Sequence, residues 1–338
     1  MSEFKVNTIT NRDGSHGPQV CGITTFGSSG MQLPSGPTEF RGGRGKSLTY
    51  GGVFSGSYVR NINIMDIATT GSAVAFGDAS KANTFASGMA SATRGVFKQG
   101  RSPTTTGNME YVIFSSQGGV ANFGTDNGTN QDSSAPASNG TRGIFGNGTA
   151  YDTIIQSINI PTTGDTTEFG TLSSGRYMGG GAGGSSPTRG FFFGGLISGQ
   201  PAGEKIIETV TFASGGEATK FGELTVGRRA IAAVTNSTRA VSCSGDTPAT
   251  DTMDYITMAS EGNATDFGDI TNQANGYGAG GSNAVRGVIS GCNPSSSHIN
   301  RIDYITIATT GDATDFGDTT TGSYLNGACS DSHGGLVY

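Results

Sequence analysis

The 338-residue sequence contains no tryptophan, only three histidines and only four cysteines, and 14% of its residues are charged. The cysteines have neither Cys-x-x-Cys spacing nor histidine partners, so a zinc site is not indicated and buried free thiols are expected. Net charge is −6 and no basic cluster exceeds Arg228-Arg229, which argues against a nucleic-acid partner. Neither a membrane span nor a signal peptide is recognisable, so we expect a soluble protein made in a cytosol.

Catalytic motifs are also missing. The sequence has no Gly-x-Ser-x-Gly elbow, and the histidines, His16, His298 and His333, are too scattered to suggest a Ser-His-Asp set or a metal centre. The Asp-Phe-Gly at 266–268 spells the kinase magnesium triplet without the accompanying His-Arg-Asp loop or strand lysine. A pair of carboxylates, as in glycosidases, stays open, but nothing selects one. We therefore predict no enzyme, no catalytic residue, no metal and no cofactor.

The chain does contain a long-period repeat. Its clearest copy is YITIATTGDATDFG, residues 304–317, and its terminal Phe-Gly recurs at intervals of 46–52 residues. In each copy a glycine stands five residues before the phenylalanine. The phenylalanines are Phe76, Phe123, Phe169, Phe221, Phe267 and Phe316. Such a period is typical of repeat architectures, and here we interpret the phenylalanine as a plug between adjacent units and the glycine as the turn after it.

Each unit is predicted to contain four short strands. A strand of small residues comes first, followed by an apolar run such as RGVF, an alternating run such as YITI, and the run that ends in Phe-Gly. Glycine-rich turns let neighbouring strands pair as antiparallel hairpins. One such sheet buries too little surface alone, whereas sheets stacked radially bury both faces. The sequence therefore predicts an all-β protein with a β-propeller fold.

Seven blades are favoured by counting the strand markers. Six units are expected near 45–80, 88–125, 136–172, 183–224, 233–270 and 280–318. A seventh blade is predicted to combine 326–338 with 19–40 and to close the ring with strands from both termini. Residues 1–17 are interpreted as an N-terminal arm that anchors the protein, and 18–338 as the propeller. The interval between 40 and 52 is shorter than its counterparts, so six blades with 1–40 as a separate anchor is the alternative.

The order of strands and the period of about 50 residues resemble the kelch repeat, although the usual kelch tryptophan is absent. Several sequence motifs also resemble those of structural proteins of T4-like phages that infect marine cyanobacteria. They are the repeat motifs YITIATTGDATDFGD and TRGVF and the N-terminal motifs KVNTITNRDG and GITTF. The resemblance covers essentially the whole chain. It implies a virion component such as a tail-fibre, baseplate or appendage protein, and it implies no catalytic residues.

Candidate binding residues come from positions where the repeat is least kept, because packing should obey the symmetry and a ligand site should break it. These positions lie between Phe-Gly and the next unit. They are Phe85, Tyr177, Arg228, Arg229, Tyr277 and Tyr324. Aromatic and arginine side chains on loops carry binding energy and stack on sugars, but the same residue types also serve as packing residues.

Two symmetric features have a structural and a functional interpretation. Five arginines at one position of the repeat should form a ring, which could bind an anionic glycan or pair with an acid or carbonyl of the neighbouring blade. They are Arg94, Arg142, Arg189, Arg239 and Arg286. The acids Asp312, Asp315 and Asp318 could ligate calcium but lack the EF-hand pattern, and aspartate is common at turns because it caps the backbone. Repetition favours structure for both.

Three functions follow from these observations. The first is a non-enzymatic virion protein, joined to other virion proteins through its arm and presenting loops to a host surface. The second is a propeller that binds or depolymerises glycans of the host envelope. An intracellular kelch-type scaffold is the third, although the acidic composition and absence of partner domains give it little support. No membrane insertion is expected.

Overall fold

A computed structural model divides the chain into two compact units, 1–44 and 45–338. The structure describes residues 45–336 apart from 127–131, 147, 150, 182, 272–275 and 293–299. In the first unit it describes only Thr24–Thr25 and Met31–Gln32, two strands that pair antiparallel. The predicted arm at 1–17 lies outside the described residues, as does most of the segment 19–40 that was predicted for the seventh blade.

The second unit is a six-bladed β-propeller, and its described residues contain no helix. We number the sheets 1 to 6 and call their four successive strands inner, second, third and outer. Sheet 1 consists of Gly327–Ser330, Lys46–Tyr50, Ser57–Asp66 and Val74–Asn83, with a short strand Val53–Phe54 beside the third. Sheet 2 consists of Ser87–Ala90, Arg94–Lys98, Asn108–Ile113 and Ala121–Thr125. Sheet 3 consists of Ala135–Ser138, Arg142–Gly146, Ile154–Asn159 and Thr167–Thr171, with Gly216–Glu217 parallel to its outer strand.

The remaining three sheets repeat the plan. Sheet 4 consists of Gly183–Ser185, Arg189–Phe193, Ile206–Thr211 and Thr219–Glu223. Sheet 5 consists of Ala232–Thr235, Arg239–Gly245, Thr250–Thr257 and Thr265–Asp269. Sheet 6 consists of Ala279–Ser282, Arg286–Ser290, Arg301–Thr306 and Thr314–Asp318. The four-strand reading of each complete repeat, with antiparallel neighbours, is confirmed.

The predicted count of seven blades is wrong, and the six-bladed alternative matches the structure. Gly327–Ser330 pairs with Lys46–Tyr50, in register from Gly327 opposite Tyr50 to Ser330 opposite Ser47, and so belongs to sheet 1. KSLTY is thus the second strand of sheet 1, with Lys46 where the other sheets have arginine. The run GGVF at 51–54, which matches the apolar run expected of a second strand, instead enters a tight hairpin. Within 326–338, predicted for the seventh blade, Gly334–Leu336 form a turn.

The Phe-Gly motif joins each sheet to the next. The phenylalanine rings are buried, except that Phe169 is partly exposed, as their interpretation as plugs requires. Their carbonyls accept hydrogen bonds from the glycine that begins the same motif in the following sheet, as in Gly118 N to Phe76 O, 3.1 Å. The following glycine is needed for a close approach rather than only for a turn: a Cβ on Gly77 would overlap the carbonyl of Gly118. Sheet 6 contacts sheet 1 in the same way, through Phe316 O and Gly71 N at 2.9 Å.

The arginine row also links neighbouring sheets. Each guanidinium stacks over an aromatic ring of its own sheet, as Arg239 does over Tyr255 at 4.4 Å, and donates to a backbone carbonyl of the next sheet. The acceptors include the carbonyl oxygens of Ile160, Phe212, Met258, Ala308 and Ala68. The structural interpretation, pairing with a carbonyl of the neighbouring blade, is therefore the one the contacts support.

Candidate functional site

The six inner strands surround a narrow channel. Their residues are small because adjacent inner strands approach closely: a Cβ on Gly280 would overlap the carbonyl oxygen of Ala233 in the neighbouring sheet. The cavity between them measures about 50 Å³. Since one water needs roughly 10–15 Å³ on this measure, the channel has space for a few water molecules and none for a sugar or nucleotide.

A belt of hydroxyl groups closes the end of the channel at which the inner strands terminate. Backbone N–H groups of one strand donate to the serine Oγ of the next, over 2.8–3.2 Å. The links run from Ala90 to Ser138, Ser138 to Ser185, Thr235 to Ser282, and Ser282 to Ser330. The C-terminal segment 331–336 lies against this belt. Gly334 N donates to Thr235 O at 3.0 Å, and His333 Nδ1 accepts from Gly335 N at 3.1 Å. The ring proton is therefore on Nε2, which lies 3.2 Å from Ala90 O.

At the opposite end, where the inner strands begin, a chain of backbone hydrogen bonds joins five of the six sheets. Each link joins the residue two positions before one inner strand to its counterpart in a neighbouring sheet. The links are Ser133 N to Phe85 O, Phe85 N to Leu325 O, Leu325 N to Tyr277 O, and Tyr277 N to Ala230 O, at 2.7–3.3 Å. All five residues have a left-handed backbone, with φ of 56–64°. This conformation is uncommon for residues other than glycine and is a real outlier for bulky ones.

Three aromatic rings meet over the axis at this end. Phe85 precedes the inner strand of sheet 2, Tyr177 that of sheet 4, and Tyr277 that of sheet 6. The Phe85 ring makes edge contacts with both tyrosines, at centroid distances of 6.5 Å to Tyr177 and 6.3 Å to Tyr277. Rings that come from every second sheet can touch only across the axis. All three are partly exposed.

Two arginine–aspartate pairs flank the rings. Arg101 lies over Phe85 at 5.5 Å and forms an ion pair with Asp132 at 2.7 Å. Arg229 lies over Tyr177 at 5.1 Å and pairs with Asp246 at 2.9 Å. Together with Phe85, Tyr177 and Tyr277, these four charged residues make a set of seven that we call the aromatic mouth. It presents planar rings beside fixed donors and acceptors, which is the composition of a binding surface.

The two tyrosines are uncharged hydrogen-bonding groups. Burial raises the pKa of the Tyr277 phenol, and the neighbouring Tyr177 and Asp246 raise it further, against the opposing effect of Arg229. Burial likewise raises the pKa of Tyr177. The Tyr277 hydroxyl donates to Asp246 Oδ2 at 3.1 Å, so one carboxylate connects a phenol and a guanidinium. Both phenols remain protonated at neutral pH.

The structure brings four of the six predicted site residues together. Phe85, Tyr177, Arg229 and Tyr277 belong to the aromatic mouth. Tyr324 is partly exposed and exchanges backbone hydrogen bonds with Val53. Arg228 is fully buried within sheet 5, where its Nη1 lies 2.7 Å from Asp254 Oδ2.

Arg101, Asp132 and Asp246 were missed by sequence reasoning. The sequence criterion selects only aromatic and arginine residues that lie between Phe-Gly and the next inner strand. Asp132 lies in that interval but is an acid, and the other two residues lie outside it. Because inner and second strands are antiparallel, the loop after each second strand reaches the same end of the channel. Arg101 and Asp246 lie in such loops and form backbone bridges with Thr84 and Arg229. Topology therefore offered a signal for these two residues.

The acids of the repeat cap backbone groups. Asp312 Oδ1 accepts from Asp269 N at 3.1 Å, and Asp315 Oδ1 accepts from Gly317 N at 3.1 Å. Within the described ranges, no three histidine, cysteine, aspartate or glutamate side chains form a group that could hold a metal ion. A search of the same part of the chain finds no helix long and apolar enough to span a bilayer.

Comparisons with known proteins add no family. No protein-family model matches the chain, and a search of curated proteins gives no significant match.

Proposed function

We propose that the protein is a non-enzymatic structural component of a phage particle, a rigid propeller that turns its aromatic mouth towards a surface outside the particle. The repeat and the N-terminal sequence resemble those of structural proteins of T4-like cyanophages, and this resemblance supports the virion assignment. In this proposal residues 1–17 join the propeller to other virion proteins. The protein is made in the host cytoplasm and then becomes part of the virion.

The observation that carries a binding role is the difference between the two ends of the channel. At one end the C-terminal segment 331–336 lies against the hydroxyl belt, where the contacts follow the repeat. At the other end the aromatic side chains break the repeat and are partly exposed. Symmetric contacts serve packing in every sheet, whereas an asymmetric exposed set fits a specific partner.

Rigidity is part of the proposal, and we infer that the strand Gly327–Ser330 acts as a latch that closes the ring. It supplies the inner strand of sheet 1 from the far end of the chain. The next residue, Asp331, accepts hydrogen bonds from Gly45 N and Lys46 N at 2.7 and 2.9 Å, which fastens both ends of the propeller together. A ring held in this way can display its mouth without an exposed sheet edge on the axis.

A binding role is favoured over depolymerisation by the state of the mouth carboxylates. Glycosidases need one carboxyl group as an acid and another as a nucleophile or base. Asp132 has no exposed side-chain surface and is held by Arg101, and Asp246 is held by Arg229 and Tyr277. Both carboxylates are engaged in positioning arginines.

The virion assignment is tested by mass spectrometry of particles purified on a density gradient from cells infected by the phage that encodes the chain. We expect peptides of the propeller to co-purify with the capsid at constant stoichiometry. Antibodies against the propeller should label intact particles. Finding the protein only in the cytoplasm of infected cells would contradict the proposal.

A further inference from the structure

We infer that the aromatic mouth binds a neutral saccharide, laid across the three rings and held by the two arginine–aspartate pairs. This rests on the proposed function, because it names the ligand of the surface proposed above to face outwards.

The rings provide the apolar half of such a site. Phe85, Tyr177 and Tyr277 present partly exposed rings that touch one another edge to face, so the cluster is ordered before any ligand arrives. The faces of aromatic rings carry partial negative charge, and they attract the polarised C–H groups on one face of a pyranose ring. Preorganised aromatic side chains also lose little conformational entropy on binding.

The ion pairs provide the polar half and indicate a neutral ligand. Arg101 and Arg229 are each compensated by their own aspartate, 2.7 and 2.9 Å away, so the four side chains carry no net charge. A guanidinium offers several donors in a fixed plane, and in the second pair the partly exposed carboxylate of Asp246 also offers an acceptor. A sugar hydroxyl is both donor and acceptor and can use both groups. An anionic ligand would instead have to compete with the aspartates for the arginines.

Backbone conformation is an independent observation in favour of function. The left-handed position recurs in five sheets, where it is occupied by the small residues Ser133 and Ala230 in two of them and by the buried Leu325 in a third. In a chain with 58 glycines, Phe85 and Tyr277 stand at this position with φ of 58° and 63°. Bulky residues held in this region are strained, and such strain clusters at ligand sites. Unlike Leu325, which is buried, Phe85 and Tyr277 keep partly exposed rings at this position, so the packing of the turn does not account for them.

The channel sets the orientation of the ligand. With only about 50 Å³ of space, the cavity between the inner strands cannot accept a sugar ring. The saccharide must lie across the mouth, in contact with ring faces and arginine edges. We therefore expect recognition of one or a few residues within a chain, with both neighbours free to continue into solvent.

The inference is tested with the full-length protein on an array of neutral oligosaccharides of glucose, galactose, mannose and N-acetylglucosamine, with dextran sulfate and polygalacturonate as anionic probes. Binding to a neutral probe is expected, with a Kd that changes less than about twofold between 50 and 500 mM NaCl, because no net charge is screened. Tyr177→Ala should weaken binding at least about tenfold, as for a central aromatic anchor. Tyr277→Phe removes one hydroxyl and keeps the ring, so it should fold normally and still bind several-fold more weakly.

Tyr255→Phe is the matched control. Tyr255 also lies under an arginine, Arg239, and makes an edge contact with a phenylalanine, but on the outer part of sheet 5. It should bind like the wild type, and thermal melts should show every variant folded. No binding to any neutral probe, binding only to the anionic probes, or equal weakening by Tyr277→Phe and Tyr255→Phe would each overturn the inference. If particles contain the protein but the array is negative, only this inference fails; absence from particles removes the virion proposal instead.

Discussion

Replacing Arg228 by methionine should destabilise the propeller strongly although Arg228 lies outside the aromatic mouth. Its guanidinium and the carboxylate of Asp254 are both fully buried and 2.7 Å apart. The guanidinium also donates to Ser244 O at 2.9 Å and to Ser242 Oγ at 3.1 Å. Methionine fills most of the volume but leaves a buried carboxylate without its cation, which costs about 3–5 kcal/mol.

The expected loss is large compared with a total stability of about 5–15 kcal/mol, and it corresponds to a fall in Tm of about 6–15 °C. Urea unfolding followed by circular dichroism measures the free energy, and calorimetry measures Tm. The neighbouring Arg229→Met is the control. Its pair with Asp246 is partly exposed, 23% for each side chain, so the loss should be at most about 1 kcal/mol.

The double variant Arg228→Met/Asp254→Leu decides whether the buried charge is the cause. Removing both partners abolishes the unpaired carboxylate, so the double variant should be more stable than Arg228→Met alone. The hydrogen bonds from the guanidinium to Ser244 O and Ser242 Oγ, and those from Thr225 to the carboxylate, stay lost. A single variant within about 1 kcal/mol of the wild type, or losses that simply add in the double variant, would refute the reasoning.

Three further predictions concern packing, closure and pH. Gly222→Ala should lower stability by about 1–3 kcal/mol in urea unfolding because its Cβ would overlap the carbonyl of Gly262, whereas Gly262→Ala, with nothing within 4 Å, should be nearly neutral. Deleting 327–336 should abolish cooperative thermal unfolding, because sheet 1 loses its inner strand, and adding this segment as a peptide should restore it; an unchanged melt would contradict the latch. Burial raises the pKa of Asp303, so its charged form is penalised in the folded state at neutral pH and the penalty disappears as pH falls through the folded pKa. Asp303→Asn should therefore gain stability over the wild type at pH 7, and denaturant titrations should show this gain shrink on acidification.

The fold could be predicted from the sequence because its signals are periodic. Phe-Gly recurs in all six sheets, and the strand order around it follows from turn chemistry and alternation. The count failed at one place, the start of the propeller, where GGVF at 51–54 resembles a second strand more closely than KSLTY does. Lys46 replaces the arginine that marks this strand elsewhere, and its inner neighbour, Gly327–Ser330, comes from the other end of the chain. Local sequence could not reveal a partner so distant.

The site was predicted in part for a different reason. Breaks in the repeat identified Phe85, Tyr177, Arg229 and Tyr277, which meet at the mouth. The same criterion selected Arg228, because a buried ion pair can also replace the repeat residue at a single position. Sequence distinguishes neither burial nor direction, so two adjacent arginines were treated alike although one is interior and the other lies over Tyr177.

The aromatic mouth departs from the symmetry of the six sheets, and this departure suggests a role other than packing. In five of the six sheets the residue two positions before the inner strand has a left-handed backbone, and small side chains, those of Ser133 and Ala230, occupy this position in two of them. Packing alone therefore gives no reason for aromatic residues to come from alternate sheets and converge. Phe85, Tyr177 and Tyr277 do converge, and arginines compensated by their own aspartates cover two of the rings. The structure is symmetric where sheets pack and asymmetric where they open, and we infer from this contrast that its specificity lies at the opening.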